Sequence, residues 1–466
     1  MTVVGPLDAM FLGAETRAQP MHVGGLMVFE LPEGVGRDRA FPEDARDFVL
    51  RLYQDMVEAQ QITPLFARRV RNRTRDLGYW SWEQEPEIDL EYHVRLSALP
   101  RPGRYRELFE LTSRLHGTLL DRHRPLWELH LIDGIEGRRF ALYIKIHHSL
   151  IDGVTALRWM QDMLTTDPDR TGMPACFGLP FSTTEPPDSA SGWLPTAARM
   201  PAGAFRTLAE LAGLPVIGLK GLVRSTMPFQ APRTIFNQRI SAGRRFAAQS
   251  WPIERLEKVR AITGATLNDV LLAMCSGALR NYLLELDALP DRALTAMVPV
   301  SLRGREGAPG GGNSLSTLIA DLATDLAEPD RRIRRIMAST AHGKGVLSEL
   351  SPLQNLMVGA LGFGVAGPAA VLPGVAGHTT PPYNVVISNV PGPVDGPLYW
   401  NRSRLLGMYP ASIVLNGQAL NISVTSYDRQ LHFGLTGCRR TVPHLQRLLG
   451  HLETSLTELE RLSDHG

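Results

Sequence analysis

Residues 141–160 of the chain read ALYIKIHHSLIDGVTALRWM and contain the most informative pattern of the sequence. It predicts a strand that leads directly into a helix. Because side chains alternate along a strand, Ile144, Ile146 and His148 share the apolar face, whereas His147 points to the other face. Partial desolvation at the end of a strand favours neutral imidazole, the form that a general base needs. His148 is therefore the candidate base, although a lone histidine in a strand is also compatible with a structural role.

The residues that follow the two histidines predict the start of a helix. Ser149 and Asp152 have the spacing of a capping box, and Gly153 stands where another backbone can approach closely. Asp152 lies four residues after His148, but this spacing crosses a strand-to-helix junction and does not by itself bring the carboxylate beside the imidazole. Asp152 is thus either a site residue or only a helix cap.

Residues 147–153, HHSLIDG, resemble the HHxxxDG motif of the CoA-dependent acyltransferase superfamily. The superfamily includes chloramphenicol acetyltransferase, peptide-synthetase condensation domains and the bacterial wax ester synthase/diacylglycerol acyltransferases. Three further features are similar to the last group: the opening at 6–12 and 20–30, the PLWE stretch at 125–128, and Asn268-Asp269. The resemblance implies two chloramphenicol-acetyltransferase-like α/β domains, with mixed sheets flanked by helices and the active site at their interface.

Length and composition support a division into two domains. The chain has 466 residues and 44% hydrophobic content. A chain of this length usually forms more than one hydrophobic core. Strands alternate with helices in both halves, which favours an α/β protein. A proline-rich stretch separates the halves, so we predict an N-terminal domain at 1–170, a crossover linker with a helix at 171–230, and a C-terminal domain at 231–466.

Charge and cysteine content exclude several function classes. The formal net charge is only +2 and both signs are interspersed, which does not indicate a nucleic-acid surface. The three cysteines have no metal-ligand spacing and are odd in number, so neither a zinc site nor a disulfide framework is expected. The N-terminal residues lack a secretion signal, and we expect a cytoplasmic protein.

The second half offers three candidate supporting residues. Thr266 and Asp269 have capping-box spacing at the start of a helix, so Asn268 and Asp269 could simply cap it. Alternatively, the Asn268 amide could stabilise an oxyanion at the helix N-terminus. Arg303 ends a predicted strand, and the resemblance implies that it forms a structural ion pair with Asp152. A solvated arginine is the alternative for Arg303.

The resemblance implies an O-acyltransferase that uses acyl-CoA as a substrate and needs no cofactor or metal. The acceptor would be a long-chain fatty alcohol, giving wax ester, a diacylglycerol, giving triacylglycerol, or both. His148 would act as general base in a ternary complex, with His147, Asp152 and Gly153 completing the motif. The enzyme would lie peripherally at the inner membrane or on lipid inclusions. The glycine- and proline-rich apolar stretch 353–377 is compatible with an acyl tunnel, a membrane contact or plain core. The sequence leaves the oligomeric state open.

Three alternatives remain at this point. One is a condensation-type acyltransferase that uses a carrier-protein thioester. The second is a non-catalytic protein that binds lipid or coats lipid bodies. A metallohydrolase built on the two histidines and Asp152 is the weakest, because adjacent strand residues on opposite faces do not readily share one ion.

Overall fold

The structure, a computed structural model, describes residues 2–35, 43–72, 80–179, 231–301, 315–349, 381–393 and 396–462. Arg303, the apolar stretch 353–377 and most of the proposed linker lie outside these ranges. The N-terminal half contains, in order, β1 Thr2–Val3, α1 Pro6–Ala14, β2 His22–Glu30, α2 Glu43–Val57, β3 Arg68–Asn72, β4 Trp80–Gln84, α3 Leu90–His93, β5 Val94–Ala98, α4 Tyr105–His116, β6 Trp127–Ile135, β7 Arg139–His147 and α5 Gly153–Asp162.

The C-terminal half repeats the mixture of strands and helices. Its elements are β8 Arg244–Pro252, α6 Ile253–Thr263, α7 Leu267–Glu285, β9 Thr295–Ser301, β10 Leu315–Asp321, α8 Pro329–Glu349, β11 Val385–Val390, β12 Tyr399–Trp400, β13 Ser403–Ala411, β14 Leu420–Tyr427, β15 Gln430–Cys438 and α9 Arg447–Glu460. Local chemistry accounts for several boundaries. Helix α6 ends at Gly264, whose φ of 69° is left-handed, and α7 begins with the predicted Thr266–Asp269 capping box.

Two mixed six-stranded sheets form the framework, which confirms the predicted α/β class. One has the order β10-β9-β11-β14-β15-β8, and the other has the order β12-β13-β2-β7-β6-β5. A smaller antiparallel sheet, β1-β4-β3, packs at the N-terminal side. The hairpin β12–β13 comes from the C-terminal half of the sequence but completes the N-terminal sheet, because β13 pairs with β2 from Arg404 to Ala411. Dividing the sequence at the predicted linker therefore does not assign each sheet to one half of the chain.

Strand β7 is buried on both of its faces, the predicted apolar face and the face that carries His147. Ile144 and Ile146 pack in one core cluster, whereas Tyr143 packs on the other side in a cluster that includes Phe246 of β8. Lys145 is fully buried on that second side, where its Nζ lies 3.1 Å from Glu128 Oε2 and donates to the carbonyl oxygen of Thr118 at 2.9 Å. Helix α4 and the residue segment after it cover this second face, since the Tyr143 hydroxyl contacts the His116 ring and Lys145 donates to the carbonyl oxygens of Leu115 and Thr118.

All three cysteines are buried and unpaired, in agreement with the absence of a disulfide framework. In the described part of the chain, no single helix is long and apolar enough to cross a membrane. Helices α6 and α7 meet that criterion only together, as a pair bent by 103°.

Five buried histidines and the partly exposed His148 make the fold sensitive to acid. Desolvation is the main cause of a lowered pKa in all six, and the pKa reaches about 3 for His116 and about 4 for His432 and His148; the others are His22, His93 and His130. In the unfolded chain these groups bind protons near pH 6.5, whereas in the folded chain they do so only at lower pH. Stability therefore rises with pH between about 4 and 6.5 and is lost as the pH falls through that window.

We expect the midpoint of thermal unfolding to fall by about 10 °C or more between pH 7 and pH 5, since each such histidine contributes up to about 1.4 kcal/mol per pH unit. Calorimetry or circular dichroism at constant ionic strength measures this. His432→Gln should make the dependence on pH shallower, because it removes one of the titrating groups. A midpoint that stays constant from pH 7 to pH 5 would contradict the assignment of these histidines as neutral in the folded state.

Candidate active site

The histidine motif occupies the turn between β7 and α5. The strand ends at His147, and the helix begins at Gly153. Asp152 is the N-cap of this helix: its Oδ1 accepts from the main-chain N–H groups of Val154 at 2.9 Å and Thr155 at 3.0 Å. Its Oδ2 accepts from the Thr155 hydroxyl at 2.7 Å. The predicted capping box with Ser149 as the cap is therefore wrong, because the helix starts one turn later than the sequence spacing indicated.

His148 lies just past the end of the strand and is partly exposed. Its main-chain N–H donates to the carbonyl oxygen of Met21 at 2.8 Å, which ties the turn to the residue before β2. Its ring stacks on Phe11 of α1, with ring centroids 4.1 Å apart and an interplanar angle of 20°. The contact with Phe11 fixes the plane of the imidazole.

The environment of His148 favours the neutral ring. Burial lowers the pKa of His148 to about 4, and the charge of Asp152 and a hydrogen bond to the histidine's own carbonyl oppose this shift only in part. At neutral pH the ring is thus neutral and can accept a proton as a base.

His147 is held differently. Its Nδ1 lies 3.1 Å from the main-chain N–H of Ser149 and 2.7 Å from the hydroxyl oxygen of the same residue. A main-chain N–H can only donate, so Nδ1 accepts and the ring proton is assigned to Nε2. Nε2 lies 3.4 Å from Oε1 of Glu15. His147 is fully buried and is therefore a poor candidate for contact with substrate.

Helix α1 contacts both histidines, and the sequence analysis missed this. Glu15 directly follows the helix, and its main-chain N–H donates to the carbonyl oxygen of Phe11 one turn earlier. Strand β7 ends at His147. The alternation of side chains along the strand therefore does not determine where the His148 ring points. Phe11 stood within the quoted opening stretch 6–12, but nothing in its spacing indicated a contact with a distant turn.

Gly153 faces open space at the start of α5, and Asp152 caps this helix. A Cβ atom at Gly153 would have no heavy atom within 4 Å, so the space in front of the first turn of α5 is open. Asp152 acts as a cap and, through its charge, raises the pKa of His148. Arg303, its predicted partner, lies outside the described residues, and that ion pair stays a prediction.

Asn268 and Asp269 lie at the N-terminus of α7, in the C-terminal half. Both carboxylate oxygens of Asp269 accept hydrogen bonds: Oδ2 from the Thr266 hydroxyl at 2.6 Å and Oδ1 from the Thr340 hydroxyl at 2.6 Å. Asp269 thus caps α7 and links it to α8. Asn268 is half-buried in the first turn of the same helix, and its proposed contact with an oxyanion stays a prediction. Within the described ranges, no group of three or more histidine, cysteine or acidic side chains is placed to hold a metal ion.

Comparison with known protein families gives two matches that together cover most of the chain. Residues 4–271 match the wax ester synthase/diacylglycerol acyltransferase catalytic domain. Residues 311–460 match the WS/DGAT C-terminal domain, the corresponding C-terminal domain of these proteins.

Individual relatives agree with these matches. A probable diacylglycerol O-acyltransferase from Mycobacterium tuberculosis is 48% identical over 469 residues, covering 99% of both chains. The solved structure of a wax ester synthase/diacylglycerol acyltransferase from Marinobacter aquaeolei VT8 is 40% identical, with a TM-score of 0.76 and 99% coverage of both chains. The first condensation domain of the calcium-dependent antibiotic synthetase is only 18% identical, with a TM-score of 0.54, and shares the fold alone.

Proposed function

This chain belongs to the wax ester synthase/diacylglycerol acyltransferase family and is an acyl-CoA-dependent acyltransferase, and from that premise we propose that it esterifies long-chain alcohols, diacylglycerol or both, with His148 as the general base. The surroundings of the His148 ring are the main support for its role as the base. The imidazole is neutral at pH 7 and is stacked on Phe11, which fixes the plane of the ring. This combination suits a group that must accept a proton in a defined orientation.

The proposed reaction is direct transfer in a ternary complex. An alcohol is too weakly acidic to ionise first, so the His148 imidazole removes the hydroxyl proton as the oxygen attacks the thioester carbonyl. A carbon–oxygen bond forms, and the carbonyl oxygen becomes a tetrahedral oxyanion. The half-buried amide of Asn268 is our candidate donor to that oxyanion. As the carbonyl reforms, the carbon–sulfur bond breaks and the thiolate of CoA receives the proton from the His148 imidazolium. No acyl-enzyme is required.

Electrostatics and space support the placement of the reaction at this turn. Asp152 holds a negative charge close enough to raise the pKa of His148, so it would stabilise the imidazolium that forms during transfer. The open space before Gly153 leaves room for a substrate beside the base.

The acceptor is tested by supplying purified protein and palmitoyl-CoA with hexadecanol, dioleoylglycerol or both, and by measuring free CoA together with the lipid product by chromatography. We expect ester in proportion to CoA released, and the ratio of the two products defines the acceptor preference. Lipid binding without any ester would support the non-catalytic alternative. Turnover only with a carrier-protein thioester would support the condensation-type alternative.

We further propose that the enzyme binds an anionic lipid surface, which would attach it peripherally to the inner membrane or to lipid inclusions. Four exposed arginines, Arg17, Arg239, Arg439 and Arg440, lie at the ends of the sheets where β7 delivers the motif. Residues 231–253 and 429–452, which supply three of them, contain no aspartate or glutamate. The loops are adjacent, because an Arg440 Nη2 group donates to the Arg239 carbonyl oxygen at 2.9 Å.

This basic surface is also continuous across the two halves. Nη2 of Arg244 donates to the carbonyl oxygen of Ala18 at 2.9 Å, which places the loop containing Arg17 beside the start of β8. Since the whole chain has a net charge of only +2, this concentration of arginines leaves the remaining surface close to neutral or acidic. A dipolar charge distribution of this kind orients a protein on an anionic membrane.

Replacing Arg239, Arg439 and Arg440 together by glutamine is expected to weaken binding to phosphatidylglycerol vesicles by about 100-fold, at about 1 kcal/mol per arginine. Co-sedimentation at low ionic strength measures the affinity. The matched control replaces Arg106, Arg331 and Arg334, which are equally exposed and remove the same total charge from other surfaces. Equal binding by both triple variants, or equal binding to phosphatidylcholine, would contradict the proposed membrane face.

A further inference from the structure

The Glu15 side chain is almost completely buried beside the histidine motif, with 3% of its surface exposed. Its two oxygens have different partners. Oε1 accepts from the main-chain N–H of Met21 at 3.2 Å and lies 3.4 Å from His147 Nε2. Oε2 accepts from Arg122 Nε at 3.0 Å. Burial by itself would raise the pKa of Glu15, but His147, the Met21 N–H and Arg122 outweigh it, so the pKa is lowered and the carboxylate is charged.

From these contacts we propose that Glu15 is a positioning residue for acyl transfer, acting through His147. The negative charge of Glu15, with Oε1 3.4 Å from His147 Nε2, favours the tautomer that carries the proton on Nε2. Nδ1 then stays free to accept from Ser149, which fixes the turn that presents His148. The proposal rests on the proposed function of His148 and goes beyond it, because Glu15 touches neither substrate nor the reacting atoms.

The chain geometry explains why one carboxylate can control this turn. Glu15 Oε1 also accepts from the main-chain N–H of Met21, and the carbonyl oxygen of Met21 accepts from the main-chain N–H of His148. Glu15 therefore reaches the base by two short routes, one through the His147 ring and the other through the peptide at Met21. A third contact, the stacking of Phe11 on His148, starts from the same helix.

Glu15→Gln is the isosteric test of this arrangement. A glutamine amide has one oxygen, whereas the site places donors on both sides: Met21 N–H and His147 Nε2–H on one side, and Arg122 on the other. On one of the two sides the glutamine NH₂ group must therefore face another donor. This disturbs the contacts of residue 15 with almost no change in side-chain volume. His147→Asn removes the Nε2–H while its own amide oxygen still accepts from Ser149.

The two substitutions form a double-mutant cycle measured with palmitoyl-CoA and the preferred acceptor. Each single variant is expected to lower kcat about tenfold with KM unchanged, and the double variant to be no worse than either. Independent, multiplicative losses in kcat would overturn the proposal, as would full kcat in Glu15→Gln. Arg124→Gln is the matched control: Arg124 pairs with Asp89 at 2.9 Å and contacts neither Glu15 nor the two histidines, so this variant is expected to retain kcat.

A second readout does not depend on turnover. In protein labelled with ¹⁵N at histidine, the His147 ring signals, assigned by their loss in His147→Asn, are expected to show a proton on Nε2 in wild type. Glu15→Gln is expected to shift the ring toward the other tautomer or broaden its signals. A proton on Nδ1 of wild-type His147 would overturn the proposal. If the wild type makes no ester but the tautomer depends on Glu15, the proposed function fails and the positioning contact stands.

Discussion

His148→Ala is expected to lower kcat for ester formation by a factor of about 10² to 10⁴, the usual contribution of a positioned general base. The folded state should change little, because the ring is partly exposed and its main contact is one face of Phe11. Measurement of initial rates under saturating palmitoyl-CoA and acceptor, together with the unfolding temperature of the same preparation, separates loss of chemistry from loss of structure.

His123→Ala is the matched control for this variant. His123 has 96% of its side chain exposed and its described contact is with Asp121 alone, so its loss should leave kcat unchanged. An active His148→Ala enzyme would refute the assignment of the base.

The dependence of the rate on pH tests the same residue without a mutation. Since burial lowers the pKa of His148 to about 4, the neutral ring predominates above about pH 5. We therefore expect kcat/KM to be flat from pH 8 down to about 5 and to fall below that. A fall centred near pH 6.5 would instead indicate an unperturbed histidine.

Gly434→Ala is expected to destabilise the fold by about 3 kcal/mol or more, or to leave the protein insoluble. A Cβ atom at Gly434 would stand 1.9 Å from the carbonyl oxygen of Pro410 and 2.9 Å from its carbonyl carbon. Both neighbours are backbone atoms and cannot rotate away. Gly434 is on β15 and Pro410 is on β13, so the added methyl group would push the two large sheets apart.

Gly450→Ala provides the contrast. Gly450 is exposed in helix α9, where a Cβ atom would meet nothing within 4 Å. Alanine there is expected to stabilise the helix by about 0.5–1 kcal/mol. Chemical denaturation of both variants gives the two free energies. If Gly434→Ala were as stable as wild type, the close contact between the sheets would not exist as described.

The sequence predicted those features of the fold that depend on local patterns. Periodicity placed β7 close to its observed position, and capping chemistry identified Thr266 as the start of α7. It could not predict that β13 joins the N-terminal sheet, since strand pairing across several hundred residues leaves no local signal. Nor did alternation reveal that both faces of β7 are buried, because Lys145 reads as a solvent-facing residue unless its buried partners are known.

For the candidate site, too, the sequence predicted the local features and missed the contacts between distant residues. The histidine motif is contiguous, so its residues could be identified from their order alone. Phe11 and Glu15 escaped notice because their contacts with the motif come from a distant helix. The capping box at Ser149 failed for a different reason: Ser149 and Asp152 are both good caps, and the hydroxyl of Ser149 contacts the His147 ring instead.

The late position of β13 in the chain has a consequence for biosynthesis. A ribosome must translate as far as Ala411 before β2 acquires its outer neighbour, because β13 pairs with β2 along most of its length. Until then β2 is an unprotected, largely apolar edge that other nascent chains can pair with. The N-terminal sheet therefore cannot be completed while only the first half of the chain has been synthesised. The yield of the protein in a cell should depend on chaperones that hold the first half until the last quarter of the polypeptide has emerged.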